Sequence, residues 1–303
     1  MKVLIIGYGS IGKRHEGVLS QFKNIKTIDI VTKQNLDNKN TFLSLKKVTN
    51  LNSYDYFIIS SPTNKHFKQL KYIESKVSNK IIFCEKPLFK TDKKLKIKNN
   101  SVYIGYVLRF HPLLLKLKKI LNNEKILSAN TSCGQYLPTW RPDSDYKKSY
   151  SASKEQGGGV LLDLSHEIDY IEWLFGGMKE IKSYQRKISD LEIDSDDYLS
   201  LIAITKKDIF INLNIDYISK ITHRTIKIDT IENSYTLDFI KNTLLQKNKN
   251  GVEKKYNLPN LERNYMFKSM HKDILNKKKN ICTFREAKNV MKTISTIQEQ
   301  NNG

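Results

Sequence analysis

Cysteine is scarce in this 303-residue chain. Cys84, Cys133 and Cys282 are odd in number, far apart and without metal-ligand spacing, which argues against a disulfide framework and against a metal centre. Long hydrophobic runs are missing too. Nowhere do about 18 apolar residues follow one another, so no spanning helix is encoded. The apolar run Val3 to Ile6 is short and lacks a cleavage site, and it reads as a strand, not a signal peptide. No solenoid-type repeat recurs. Acidic residues are outnumbered, 31 Asp and Glu against 52 Lys and Arg, for a net charge of +21. The excess is nearly all lysine and is spread along the chain. A nucleic-acid binder more often gathers Arg and Lys on one face among aromatics, so a solvated surface is the favoured reading. What remains is the expectation of a soluble, cytoplasmic protein with enough chain for two domains.

Residues 2 to 15, KVLIIGYGSIGKRH, run from a buried strand through Gly7, Tyr8, Gly9, Ser10, Ile11 and Gly12 into a helix. This is the G-x-G-x-x-G dinucleotide fingerprint in the context it requires. Gly7 permits the tight turn, Gly9 lets backbone reach a pyrophosphate, and Gly12 lets the helix pack against the strand. A second strand, about Thr27 to Thr32, ends where an NAD-preferring fold places a carboxylate for the ribose 2′-hydroxyl. Thr32 and Lys33 stand there instead, and Asp29 falls inside the strand. A hydroxyl and a cation suit a 2′-phosphate better, which tilts the NAD(P) choice towards NADP; the plainer reading makes Lys33 one surface lysine among many.

Strand three, Tyr54 to Ser60, leads into Ser61, Pro62, Thr63 and Asn64, whose backbone is placed to line the cofactor. Strand four delivers Glu85, Lys86 and Pro87, and strand five precedes Arg109, Phe110, His111 and Pro112. Alternating strands and helices to this point read as a doubly wound parallel sheet. Beyond it the strands crowd together and predict a mixed or antiparallel sheet, with Ser189 to Asp197 and Lys247 to Asn260 as polar loops. Two closing helices cover about Glu262 to Asn276 and Phe284 to Gln298. The fold class is therefore α/β: a Rossmann doubly wound parallel sheet over residues 1–108, then an α+β domain with an open sheet over residues 109–303. The last helix is free to pack back on the first domain.

The stretch GGGVLLDLSHEIDYIEWLFG, residues 157–176, organises the second half. Asp163, His166 and Asp169 recur every three positions and so share one face of an amphipathic helix. Three glycines lead in and let something approach closely. A carboxylate and an imidazole in register suit proton chemistry, whereas the bland alternative is a core helix with a hydrogen-bonded histidine. In the loop before it, Trp140, Arg141 and Tyr146 offer an aromatic platform and an anion clamp, or else a loop packed over the domain junction. Asp169 either binds a substrate hydroxyl or pairs structurally, and Arg109 either contacts substrate or ties the domains together by an ion pair.

Taken together, Gly7-x-Gly9-x-x-Gly12 with Arg14-His15, then Glu85-Lys86-Pro87, then Arg109-Phe110-His111-Pro112, then the glycines with Asp163, His166 and Asp169, resemble the glucose-fructose oxidoreductase / inositol dehydrogenase (Gfo/Idh/MocA) family. The resemblance implies NAD(P)-dependent oxidation or reduction of a sugar or cyclitol hydroxyl by a homo-oligomer, a dimer or tetramer. It implies Lys86 as the lysine that reaches substrate hydroxyl and nicotinamide, His166 as general acid/base and Asp163 as its accompanying carboxylate. Many members have three residues between that Asp and His. Only Leu164 and Ser165 intervene here. The loop and this shortened spacing are similar to a subgroup found with bacterial surface-sugar biosynthesis, which points to an amino-sugar, nonulosonic-acid-type or nucleotide-sugar substrate. A dinucleotide-binding sensor or scaffold of the same fold is the alternative, and a nucleic-acid-associated protein a remoter one.

Overall fold

The computed structural model describes residues 1–37, 39–140 and 145–301. In chain order the elements begin β1 (Lys2–Ile6), α1 (Ser10–Leu19), β2 (Thr27–Val31), β3 (Thr41–Phe42), β4 (Tyr56–Ile59), α2 (Thr63–Lys76), β5 (Ile81–Cys84) and β6 (Ser101–Ile104). Next come α3 (Pro112–Leu121), β7 (Ile126–Gly134), α4 (Val160–Asp163), α5 (His166–Phe175), β8 (Met178–Arg186), β9 (Tyr198–Thr205) and β10 (Phe210–Asp216). The chain closes with β11 (His223–Thr230), β12 (Asn233–Asp238), β13 (Thr243–Asn248), β14 (Glu253–Asn257), α6 (Tyr265–Lys272), β15 (Cys282–Thr283) and α7 (Phe284–Asn301). These divide into two compact units, Met1–Val107 with Asn264–Met291, and Leu108–Arg263 with Lys292–Gly303. Asn264–Met291 thus groups with the first unit although it lies late in the sequence.

The first unit is built on a sheet of order β15-β6-β5-β4-β1-β2-β3, parallel throughout except where β15 runs antiparallel to β6. Its strands are short apolar runs with both faces covered, which is why β4 is buried at all four positions. Reading outward from β1, sequence order goes one way to β2 and the other way to β4. The order reverses between β1 and β4, and in open parallel sheets ligands bind at the carboxyl ends of the strands at that point.

The second unit carries a sheet of order β14-β13-β12-β11-β7-β10-β9-β8, antiparallel except for the β7 and β10 pair. Along β9, Leu199, Leu201 and Ala203 are buried while Ser200, Ile202 and Ile204 lie on the other side, the alternation of a sheet with one covered face. The outer face leaves Tyr184, Ile202 and Phe210 exposed. Among the described residues no helix is long and apolar enough to cross a membrane.

Two sequence expectations are corrected. Residues 157–176 do not form one helix: α4 ends at Asp163, Leu164 leaves helical geometry (φ −96, ψ 26), and α5 starts afresh at His166. Asp163 therefore does not share a helical stripe with His166 and Asp169. Half of Lys247 to Asn260 is strand and not loop, since β13 and β14 form a hairpin there. Ser189 to Asp197 is a loop, but carboxylates tie it down: Asp197 accepts the amides of Ile188 and Ser189, Asp194 that of Lys154 and Asp196 that of Leu161.

Ile58 is fully buried in β4, between Ile5 of β1 and Phe83 of β5. Truncation to Ile58→Ala should cost about 2–5 kcal/mol of stability, measured by urea unfolding.

Candidate functional site

At the end of β1 the backbone crowds together. Gly7 has φ +95, and a Cβ there would lie 2.7 Å from the Ser61 backbone; one at Gly12 would lie 2.3 Å from the Gly7 carbonyl oxygen. Both glycines are therefore required by the protein itself, for a positive φ and for close approach of helix to turn. Gly9 differs, because a Cβ on it would meet nothing within 4 Å. The space over Gly9 is open, at the start of α1, whose first turn holds no acidic residue. The amides of Ser10, Ile11 and Gly12 thus offer an uncompensated positive end to an anion. The cradle fits a dinucleotide pyrophosphate.

Ser60, at the end of β4, donates from its hydroxyl to the Gly7 carbonyl (2.8 Å) and locks this turn to the next strand. Ser61, Pro62, Thr63 and Asn64 then lead into α2. His66, fully buried, lies 2.8 Å from the Ser61 carbonyl and 3.0 Å from that of Pro87, strapping the cofactor-side loop to the Glu85-Lys86-Pro87 turn. Burial lowers its pKa although the two carbonyls favour the charged form. The Lys86–Pro87 bond is cis, and Lys86 is half-buried.

At the end of β2, the Thr32 hydroxyl accepts the Gln34 amide (3.1 Å), and the Gln34 side chain donates to the Tyr8 carbonyl (2.9 Å). Lys33 is exposed. Asp29 is taken up within the strand, buried and held by the Tyr54 hydroxyl (2.6 Å) and the Lys2 ammonium (3.1 Å).

In the second unit the lead-in glycines serve the chain's own packing. A Cβ on Gly158 would meet the Tyr150 carbonyl at 2.2 Å, and one on Gly159 the Asp196 carboxylate at 2.0 Å. What approaches closely is the protein itself. Asp163 is buried and accepts three hydroxyl bonds, from Tyr150, from Ser151 (2.6 Å) and from Tyr217 (2.7 Å). Trp140 packs edge-on against Tyr217 with ring centroids 5.1 Å apart and donates from its indole to the Gln135 carbonyl. Tyr146 accepts the Glu192 amide. Arg141 lies outside the described residues.

His166 is the first residue of α5 and half-buried. Its neighbour Glu167 is fully buried and paired with Arg224 of β11 at 2.9 Å. One turn on, Asp169 and Arg109 meet in a two-pronged ion pair (2.7 and 2.9 Å), both side chains 2% exposed. Arg109 also lies over the Trp173 ring. Sequence reading thus places its second-unit candidates in two clusters, Asp163 with Trp140 through Tyr217, and Arg109 with Asp169 along α5.

Residues 1–97 match an oxidoreductase family with an NAD-binding Rossmann fold, and residues 115–234 match the Gfo/Idh/MocA C-terminal domain. The first match spans the glycine cradle and Lys86, the second spans Asp163 and His166. The chain belongs to the Gfo/Idh/MocA family of oxidoreductases. An inositol 2-dehydrogenase of Klebsiella pneumoniae is 24% identical over 195 residues, 57% of this chain and 54% of that protein. The chain's match thus spans about half the length of that relative. Among solved structures, a levoglucosan dehydrogenase in complex with NADH and levoglucosan superposes with a TM-score of 0.83 at 16% identity, covering 99% of this chain and 96% of that one. A UDP-N-acetylglucosamine 3-dehydrogenase from Acidithiobacillus ferrooxidans gives 0.77 at 16% identity, covering 99% and 97%. These likenesses show the shared fold.

Within this family frame, Tyr150, Ser151 and Tyr217 around Asp163, and His271 beside His15, are the partners that the sequence motifs left out. Tyr217 has a weak signal as a hydroxyl-bearing aromatic just past the end of β10. His271 has none, because only the folded chain brings α6 to α1.

Two measurements follow. Removing one partner of a buried ion pair strands the other, so Asp169→Ala should lose about 3–5 kcal/mol in urea unfolding. Burial raises the Glu172 pKa from 4.5 to about 7 against the opposing bond from Thr293. A carboxyl with a raised pKa in the folded state stabilises below its unfolded value and loses that contribution as pH rises through the folded one. Stability should therefore fall between pH 5 and 7, read by thermal melts, and Glu172→Gln should flatten that fall.

Proposed function

We propose that this chain transfers hydride between NAD(P) and a hydroxyl or ketone of a sugar derivative, an amino sugar or nucleotide sugar being the favoured class. One observation carries the reading: an open cradle over Gly9 and a held Glu85-Lys86-Pro87 turn in the first unit accompany an imidazole at the head of α5 in the second. The family membership, and the sugar dehydrogenases among its structural likenesses, support it.

In this reading the backbone of Gly7, Gly9, Ser10, Ile11 and Gly12 holds the pyrophosphate, and Ser61 to Asn64 with Glu85 border the nicotinamide half. When bound, the dinucleotide supplies or accepts hydride at nicotinamide C4. Lys86 polarises the carbinol oxygen as a fixed ammonium. His166 takes the hydroxyl proton in oxidation and returns it in reduction. Asp163 keeps Tyr150, Ser151 and Tyr217 in place beside it, and Trp140, Tyr146 and Arg141 contact the sugar. Arg109 and Asp169 act on substrate through the position of α5. Thr32 and Lys33 favour NADP, since neither presents a carboxylate to a 2′-phosphate. The exposed Tyr184, Ile202 and Phe210 on the outer sheet face support a homo-oligomer.

The test is single-turnover hydride transfer with NAD and NADP against myo-inositol, levoglucosan and UDP-N-acetylglucosamine as probes. Turnover of a probe is expected, with Lys86→Met and His166→Asn each slowing transfer about 10²–10⁴-fold while dinucleotide affinity is kept. Lys33→Ala should weaken NADPH more than NADH. Tight dinucleotide binding without transfer to any sugar would replace this reading by the sensor or scaffold.

A further inference from the structure

Four polar side chains, from three elements and the turn after β5, line up inside the first unit. The Tyr56 hydroxyl of β4 lies 2.9 Å from His271 Nδ1 of α6, His271 Nε2 lies 2.9 Å from His15 Nδ1 of α1, and His15 Nε2 lies 2.9 Å from Glu85 Oε1. Glu85 then folds back on its own chain, Oε2 accepting the Lys86 amide at 3.2 Å. Tyr56, His15 and His271 are fully buried. Phe83 and Phe267 pack edge-on to His15, and Tyr103 stands near Tyr56.

Hydrogen-bond accounting gives this row a direction. Burial drives the His271 pKa well below its ordinary value, so the ring carries one N–H. If that proton sits on Nε2, His271 donates to His15 Nδ1, accepts from Tyr56, and leaves His15 to donate from Nε2 to Glu85. Every polar hydrogen then has an acceptor. If it sits on Nδ1, the Tyr56 oxygen becomes the acceptor and the hydroxyl proton loses its bond, while His15 must donate from both nitrogens and become a buried cation. A buried donor without a partner costs about 1–3 kcal/mol, so the first arrangement is favoured. The row is a one-way relay from Tyr56 to the carboxylate.

Space at the receiving end has been cleared as well. A Cβ on Gly105 would lie 3.0 Å from Glu85 Oε1 and 2.8 Å from the Phe83 ring. The carboxylate is thus fixed by a donor on one oxygen, by the Lys86 amide on the other and by a residue without a side chain beside it.

We propose that His15 and His271 are positioning residues for Lys86, acting through Glu85 by this relay. The inference rests on the reading of Lys86 as the residue that polarises substrate. It gives Asn264–Met291 a role in the chemistry: the late segment returns to the Rossmann unit and delivers the imidazole that sets the tautomer of His15. The helix that begins at the pyrophosphate cradle and the turn that carries Lys86 are then held by one row of bonds.

The test starts on the wild-type chain with ¹⁵N-labelled histidine. Long-range ¹H–¹⁵N spectra at neutral pH should show both rings protonated at Nε2 alone; an Nδ1–H tautomer or a doubly protonated ring at either position overturns the relay. The functional half is read in Tyr56→Phe and, in parallel, in His271→Phe, so that one folded variant suffices. The ¹³Cε resonance of Lys86, assigned by its loss in Lys86→Arg, should shift in these variants, and kcat should fall about 10–100-fold with the cofactor KM unchanged. An unmoved Lys86 resonance in a folded variant reduces the row to a structural tie. Both resonance readouts are decided without substrate, so failure of the relay is distinguishable from failure of every sugar to turn over.

Discussion

The turn after β1 works because the chain passes closer to itself than any side chain would permit. Gly7 abuts the Ser61 backbone and Gly12 abuts the Gly7 carbonyl, so β1, α1 and the segment after β4 meet at one point. That point is where the strand order reverses. The fold thereby assembles unsatisfied helix amides beside a crevice, and leaves Gly9, the one glycine of this turn whose space the protein does not itself use, facing it. Ser60 and His66 add the next ties, from the turn to β4 and from the loop after β4 to Pro87.

The second unit uses the same device for a different end. Gly158 and Gly159 let Tyr150 and Asp196 approach, and this brings the hydroxyls of Tyr150 and Ser151 onto Asp163. A carboxylate with three hydroxyl donors is well held in a buried setting. It terminates α4, and the chain restarts with His166 at the positive end of α5. Two buried ion pairs, Glu167 with Arg224 and Asp169 with Arg109, then fix the rotation of α5. Polar residues at positions 163, 167 and 169 thus set where the imidazole at 166 stands.

Much of this was legible in the order of residues. Apolar runs at β1, β4 and β5 and the glycine turn after β1 specify the parallel sheet locally, and the alternation in β9 specifies a half-covered one. Three features were not. The break at Leu164 is invisible because both neighbours are compatible with helix, and the Tyr217 hydroxyl that holds Asp163 just before it comes from 54 positions further along the chain. The β13 and β14 hairpin is an edge whose strands are held by backbone pairing; β14, EKKYN, is exposed at four of its five residues and shows no apolar alternation. The contact of His15 with His271 spans 256 positions, and no local pattern encodes it. What sequence shows well is an element that carries its own reason. What it hides is a polar partner supplied from afar.

The most direct measurement concerns Gly9. Its backbone angles, φ −79 and ψ −165, are open to any residue, and an added Cβ would touch no protein atom within 4 Å. Dinucleotide titration calorimetry and thermal melts on Gly9→Ala should therefore show a chain as stable as wild type that has lost most of its affinity for NAD(P)H. A variant that binds the dinucleotide as tightly as wild type would contradict the assignment of this turn as the phosphate cradle, and with it the chemistry built upon it.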